Sequence, residues 1–290
     1  METKRQPVIW LQGAGCTGCS ISIMNSVSPS IKNLLLDEVV PGSFLQLVFH
    51  PTLMAATGEA SIEVMLDTRE KEEGSYILVM EGSIPTARRG IFATVGEKNG
   101  EPVTVLSRFV NLARGSLAII ALGDCATFGG IPAARPNPTG CKGAKDVVEE
   151  EKIGVPVINV PGCPPHPDWF VGTVAHILLY GLMSSDDLDE LNRPKIFYGQ
   201  LIHENCPRRP YFDEGKFARK LGEEGCLYEL GCKGPFTYAD CPLRHWNGGV
   251  NWVIGAGSPC LGCTEPSFPD ITGPFYKKIS HWEKLKPPLK

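Results

Sequence analysis

Eleven cysteines in a chain of 290 residues are the groups with the most chemistry to offer. A thiolate can act as nucleophile, redox partner or soft metal ligand, and spacing helps to decide among these. Cys16-Thr-Gly-Cys19 and Cys260-Leu-Gly-Cys263 have the spacing of paired metal ligands. His203-Glu-Asn-Cys206 adds an imidazole at the same interval, and Cys226 and Cys232 form a further close pair. Disulfides fit poorly, because disulfide-dense frameworks belong to small secreted domains without a sufficient core. An odd count would also leave one thiol over. Metal is the better reading. Structural zinc sites usually take two close pairs, whereas Cys125 and Cys163 each stand alone in a Gly/Pro loop. Cys163, Cys206 and Cys241 are each followed by proline, and Cys-Pro recurs at iron–sulfur ligands. Proline stiffens such a loop and removes a donor. Glycine lets backbone N–H groups approach the sulfur and tune its potential. The pattern favours iron–sulfur over zinc.

Regular elements must position these loops. Residues 7–12, 44–49, 76–80, 117–122 and 155–160 read as strands. Residues 20–27, 59–73, 105–114, 142–152 and 168–182 read as helices, with Ile62, Met65 and Leu66 on one face of the second. Residues 90–104 read as a hairpin around Asn99-Gly100. The alternation predicts an open α/β sheet over the first 190 residues. Three cysteine loops follow three different strands, and such sheets bind ligands outside the carboxyl ends of their strands. One cluster held there by Cys16, Cys19, Cys125 and Cys163 is geometrically natural. The C-x-x-C also opens a helix, whose N-terminal N–H groups favour an anionic ligand. Gly13-x-Gly15 lacks both the third glycine of a dinucleotide fingerprint and the Gly-Lys-Ser/Thr of a P-loop. Residues 184–194 are polar and acidic and read as a linker. Beyond them the chain is rich in Gly and Pro and carries Cys206, Cys226, Cys232, Cys241, Cys260 and Cys263. This is a second domain whose core is the clusters themselves.

Composition excludes several classes. Lys plus Arg is 28 against 32 Asp plus Glu, a net charge of −4, which argues against a nucleic-acid binder working through bulk basic charge. No apolar run approaches the ~18 residues of a membrane-spanning helix. No apolar segment follows Lys4-Arg5, so no secretory leader is visible as written.

The longer motifs are Cys16-Thr-Gly-Cys19-Ser, Glu81-Gly-Ser-Ile-Pro85, Gly129-Gly-Ile-Pro132, Pro161-Gly-Cys163-Pro-Pro165 and Val171-Gly-Thr-Val174. Further on come His203-Glu-Asn-Cys206-Pro207, Gly231-Cys232-Lys-Gly-Pro235 and Pro259-Cys260-Leu-Gly-Cys263-Thr-Glu-Pro266. From Trp10 to Trp282 this sequence resembles the small, electron-transfer subunit of [NiFe] hydrogenases of the three-cluster uptake type. The resemblance implies a flavodoxin-like open parallel sheet over 1–194 and a loop- and helix-rich iron–sulfur domain over 195–290. It implies three clusters in a line. The innermost, nearest the large subunit, would be a [4Fe–4S] on Cys16, Cys19, Cys125 and Cys163. The outermost would be a [4Fe–4S] on His203, Cys206, Cys226 and Cys232, and Cys241, Cys260 and Cys263 would hold the middle one. Cys141 is left over and is expected to be a free, partly buried thiol.

Departures from the family pattern bear on subtype. Where many relatives have Pro, and selenium-containing ones a fourth Cys, this chain has Val253, which cannot ligate iron. A [3Fe–4S] is therefore expected in the middle. A third [4Fe–4S] is the alternative, with His245 or an exogenous ligand completing it. Pro165-His-Pro-Asp168 and Trp246-Asn-Gly-Gly249 nevertheless look like the [NiFeSe] group. The places of the two extra cysteines of oxygen-tolerant relatives hold Gly18 and Gly130, so an ordinary innermost cubane and oxygen sensitivity are expected.

By resemblance the reaction is H2 ⇌ 2 H+ + 2 e−, at a Ni–Fe site on the large subunit of a heterodimer. No catalytic residue falls on this chain. Glu59 and Glu81 could line proton or partner contacts, or equally be surface or cap residues, and neither is assigned a role. A small c-type cytochrome or ferredoxin would accept electrons near His203. Lys195, Arg208, Arg209, Lys216 and Lys233 lie close to those ligands in sequence and read first as a solvated charged face. Location would be periplasmic if a leader has been removed and cytoplasmic if Met1 is the true start. Two other roles keep the clusters: a hydrogen-sensing subunit, or an electron-transfer subunit of another redox complex. His203 and the second-domain cysteines argue against the last.

Overall fold

The computed structural model describes residues 4–30, 32–33, 37 and 42–278. The polar tail 284–290 lies outside them. The strands, in chain order, are β1 (Lys4–Gln12), β2 (Ser43–Phe49), β3 (Ile77–Glu81), β4 (Ile84–Pro85), β5 (Thr94–Lys98), β6 (Glu101–Thr104), β7 (Ala118–Leu122), β8 (Cys141–Lys142) and β9 (Val157–Val160). β2, β1, β3, β7 and β9 lie side by side in that order, all parallel. Counted among themselves they run 2-1-3-4-5, the flavodoxin-like order, with the switch point between β1 and β3. The expected α/β class and open parallel sheet are therefore present.

Both faces of this sheet are covered, so its strands read as nearly continuous apolar runs. Ile9, Leu11, Leu78, Met80, Ile119 and Ala121 point to one side, where Met65, Phe109, Leu112 and Val147 pack on them. These come from the helices Gly58–Lys71, Val105–Gly115 and Ala144–Glu150. Val8, Trp10, Ile77, Val79, Ile120 and Leu122 point to the other side. There the helix Pro167–Tyr180 contributes Trp169, Phe170, Val174 and Ile177. The same core continues into Phe197, Tyr198, Leu227, Ile254, Cys232 and Cys260. The chain after 194 is thus packed on one face of the sheet. Its described residues form only short helical turns, such as Ile202–Asn205, Leu227–Leu230 and Cys241–Arg244.

Polar bonds fasten that region down. Buried Arg193 pairs through Nε with Asp189 at 2.8 Å and through Nη1 with Glu265 at 3.0 Å. Trp169 Nε1 donates to Asp240 at 2.7 Å, and Arg244 Nη1 reaches Asp168 at 3.0 Å. Several predicted boundaries move by one to three residues, as at Lys4–Gln12 and Gly18–Met24, and two move for a visible reason. The hairpin contracts to β5 and β6 around Asn99-Gly100, both at positive φ, because residues 87–90 form a separate helical turn. The helix predicted from 142 begins at Ala144, because Cys141 and Lys142 pair with Pro85 and Ile84.

Candidate metal centres

Register brings the first set together. Gln12 pairs with Glu81, Glu81 with Leu122 and Leu122 with Val160, so these strands end in one row. The cysteine loops leave from that row. Gly123 N–H donates to Val160 O and Asp124 N–H to Gly162 O, both at 2.9 Å, tying the Cys125 loop to the Cys163 loop. The loop before Cys16 is held by reciprocal Ala14–Ser83 backbone bonds of 2.9 Å. Burial pushes the Cys125 thiol up to about 12 and Cys163 up to about 11. Burial also raises Cys19, and Glu81 and the sulfurs of Cys125, Cys16 and Cys163 raise it further. The four sulfurs therefore share one electrostatic environment. Protons crowded among such thiols are what a bound metal displaces. Gly123, at φ +86°, leaves the room: a Cβ there would lie 2.3 Å from Cys19 Sγ.

His203, Cys206, Cys226 and Cys232 line one pocket, together with Ile202, Leu227 and Ile254 among others. Burial raises all three thiols, Cys232 to about 11. Burial, followed by the Arg209 charge, lowers His203 and favours the neutral imidazole, the form that ligates. Arg208 Nη1 donates to Gly225 O at 2.7 Å and so holds the loop that leads into Cys226.

Cys241, Cys260 and Cys263 form the third set. Burial raises Cys241 and Cys263 to about 12 and Cys260 well above its usual value. The Trp246 side chain acts on the Cys241 sulfur in the direction that favours its charged form. Cys163 bears electrostatically on Cys263, and the Lys233 N–H, next to Cys232 in the chain, donates to Cys260 O at 2.9 Å. The third set therefore borders both of the others.

Among the described residues no three His, Cys, Asp or Glu side chains converge closely enough for a single metal ion. By donor type, thiols with one imidazole, and by the space that Gly123 leaves beside Cys19, the sets fit iron–sulfur clusters.

Other expectations resolve differently. Cys141 is buried and unbridged, with Thr139 Oγ1 3.2 Å from its sulfur. Val253 is 38% exposed, and the His245 ring faces Gly249 O at 3.3 Å. Of the five basic residues read as a solvated face, Lys195, Arg209 and Lys216 bond surface partners. Lys233 does not belong there: it is buried, because the chain near Lys277 covers it.

Glu81 has a role that the sequence alone does not assign. It is 2% exposed and accepts from the N–H groups of Cys19 and Ser20, both at 3.1 Å, from Trp10 Nε1 at 2.9 Å and from Gln12 Nε2 at 3.0 Å. It caps the helix Gly18–Met24 and fixes the C-x-x-C loop. The available signal was a lone carboxylate ending the buried run Ile77–Glu81. Trp246 gave no local signal, since its contact with Cys241 is made by folding. The two motifs resembling the selenium group also meet: His166 Nε2 lies 2.7 Å from His245 O, and the His166 and Trp246 rings are 4.9 Å apart.

Comparison with known proteins agrees with this geometry. Residues 198–276 match the family described as the C-terminal part of the NiFe/NiFeSe hydrogenase small subunit. Residues 16–177 match NADH ubiquinone oxidoreductase, 20 Kd subunit. The chain is 47% identical to the periplasmic [NiFeSe] hydrogenase small subunit of Desulfomicrobium baculatum, over 94% of this chain and 87% of that one. It is 43% identical to the periplasmic [NiFe] hydrogenase small subunit of Solidesulfovibrio fructosivorans, over 96% and 84%. A structure of the reduced, active Ni-Fe-Se hydrogenase from Desulfomicrobium baculatum superposes with a TM-score of 0.88 at 47% identity, over 95% of this chain and 100% of the other. The chain belongs to the small-subunit family of [NiFe] and [NiFeSe] hydrogenases. Its role is electron transfer in a hydrogenase, and the H2-activating site lies on the large subunit.

Proposed function

We propose that the chain relays electrons through two [4Fe–4S] clusters and one [3Fe–4S] cluster, between a large-subunit Ni–Fe site and a small redox protein. Cys16, Cys19, Cys125 and Cys163 hold the innermost cluster, Cys241, Cys260 and Cys263 the middle one, and His203, Cys206, Cys226 and Cys232 the outermost. The observation that carries this reading is the single strand-end row from which the Cys16, Cys125 and Cys163 loops leave, with the Cys260 loop tied by its O to the Lys233 N–H beside Cys232 at 2.9 Å. When bound, the clusters take up and release single electrons. The chain's own residues supply the thiolates, exclude water and set the potentials through charge, N–H···S bonds and burial.

Residues 1–194 act as the flavodoxin-like domain that meets the large subunit, and 195–290 as the cluster domain. Ile21, Met24 and Val27 are exposed beside the innermost site. An apolar patch of this kind suits a permanent partner. The acceptor, a c-type cytochrome or ferredoxin, would dock near His203 through a small, charge-steered contact. The family members named periplasmic support a periplasmic location. Among the described residues no helix is long and apolar enough to cross a membrane.

Iron and sulfide analysis of the purified heterodimer, with EPR of its oxidised form, tests the assignment. About 11 irons in this subunit and a full-intensity, near-isotropic [3Fe–4S] signal are expected. About 12 irons without that signal would replace the middle cluster by a cubane, and zinc without iron would end the reading. H2-dependent dye reduction by the same preparation separates an enzyme from a sensor.

One variant probes the middle site. Trp246→Phe removes an indole N–H that favours the charged form of the Cys241 sulfur. Donors to sulfur stabilise the more reduced cluster, so the midpoint of the [3Fe–4S] signal should fall in an EPR-monitored redox titration, with iron content unchanged. An unchanged midpoint would remove Trp246 from the potential-setting groups.

A further inference from the structure

Lys233 occupies the junction between the outer and middle donor sets, and it is only 1% exposed. Cys232 precedes it, and its own N–H donates to Cys260 O at 2.9 Å. Its Cβ lies 3.3 Å from the point a Gly262 Cβ would occupy. Thr237 Oγ1 donates to Lys233 O at 2.7 Å and stands 3.9 Å from Cys260 Sγ. The ammonium donates to two main-chain carbonyls, Gly231 O and, at 2.8 Å, Lys277 O. The covering segment is pressed close: a Cβ at Gly231 would lie 2.4 Å from Lys277 N. Lys278 pairs with Glu229 beside it. No carboxylate of the described residues forms an ion pair with Lys233, whereas Arg193, the other deeply buried cation, has two.

A charge taken out of water needs an opposite charge or it is lost. Two neutral carbonyls do not supply one. The fold places Lys233 between two thiolate ligands, Cys232 next to it in the chain and Cys260, whose O its N–H reaches at 2.9 Å.

We propose that Lys233 is the built-in counter-charge of the outer and middle clusters and holds both of their reduction potentials up. The inference rests on the ligand assignment above, in which Cys232 and Cys260 belong to two different clusters. Reduction adds one negative charge to a cluster. A fixed cation within the same water-excluded interior favours that reduced state, and does so more strongly than a surface lysine could. One residue placed between two centres raises both together, keeping the step between them while making the pair easier to reduce.

The test uses the intact heterodimer and three variants, Lys233→Gln, Lys233→Met and Lys233→Arg. Iron and sulfide are counted in each, and midpoints of the outer and middle centres are read by EPR-monitored redox titration. Lys233→Gln keeps N–H donors for the carbonyls and removes the charge. It should shift both reduction equilibria toward the oxidised form by at least about tenfold, which is about 59 mV for one electron. Lys233→Arg should stay near the wild type. Neutral variants that lose iron where Lys233→Arg keeps it also support a required charge. Unchanged midpoints in Lys233→Gln, or loss of iron from Lys233→Arg along with both neutral variants, would assign the lysine to packing and overturn the proposal. Absence of the outer and middle clusters from the wild type would instead remove the ligand assignment, so the two failures are distinguishable.

Discussion

Gly123→Ala is expected to break the four-thiolate ligation of the innermost site and abolish H2 turnover by the heterodimer, while the outer and middle clusters stay loaded. The new methyl group would lie 2.3 Å from Cys19 Sγ, well inside contact distance. Neither partner can retreat. Gly123 is anchored by its N–H to Val160 O at 2.9 Å. Cys19 is anchored by its N–H to Glu81 at 3.1 Å. Gly162 O and Pro165 Cδ stand 3.6 and 3.7 Å from the same point and close the remaining sides. The backbone at φ +86° is itself costly for any residue with a Cβ. The sulfur must therefore leave its position, and the innermost site is left with three thiolates, the number that holds the middle cluster. Iron analysis should fall by at least about 1 of about 11, with a second [3Fe–4S] signal where three irons remain. Gly154→Ala, where a Cβ meets nothing within 4 Å, is the control and should keep all its iron. Full iron in Gly123→Ala would show that the loop yields, and the Cys19 assignment would lose its steric support.

Arg193→Met is expected to destabilise the subunit by about 3–5 kcal/mol, because it leaves buried carboxylate unpaired. Glu265 is buried and accepts from both Arg193 and the Tyr238 N–H, at 3.0 and 2.7 Å. Burial raises its pKa, and Arg193 works to keep it ionised. The guanidinium also lies over the Tyr198 and Tyr238 rings, 5.6 and 5.5 Å from their centroids, and donates to Thr264 O at 3.0 Å. It thus ties the segment 189–193 to the residues that follow Cys263. Thermal unfolding, followed by loss of cluster absorbance, should begin well below the wild type, by about 2–4 °C per kcal/mol. Arg193→Met with Glu265→Gln should recover much of the loss, since the stranded charge is then gone. A single variant within about 1 °C of wild type would mean that the pair is not a fastening.

The smaller effects expected of Trp246→Phe and of Lys233→Gln fall on potentials, not on folding. Both residues act on sulfurs that are far from them in sequence or reached only through the folded chain, and neither stands out in the sequence itself.

What the sequence determined by itself is local. Five apolar runs separated by helical spacing specify a parallel sheet. A cysteine loop placed just beyond a strand end must then lie at the carboxyl edge, so Cys16, Cys19, Cys125 and Cys163 could be grouped from residue positions alone. Strand register made that possible: Gln12, Glu81, Leu122 and Val160 end in one row, and each loop is too short to carry its cysteine away. Beyond residue 194 no such ruler exists. The short turns there have no period, and the grouping of their cysteines came from family resemblance, not from spacing. Only the tertiary structure decided that the Lys233 N–H beside Cys232 meets Cys260 O, that Trp246 acts on Cys241, and that Glu81 is a cap instead of a surface acid. The same holds for Lys233. A lysine in a Gly/Pro-rich, charged stretch is ordinarily solvated. Whether it is buried depends on what later covers it, here the chain near Lys277, which lies 44 residues away. Burial of a charge is a property of distant chain meeting in space, and local composition does not carry it.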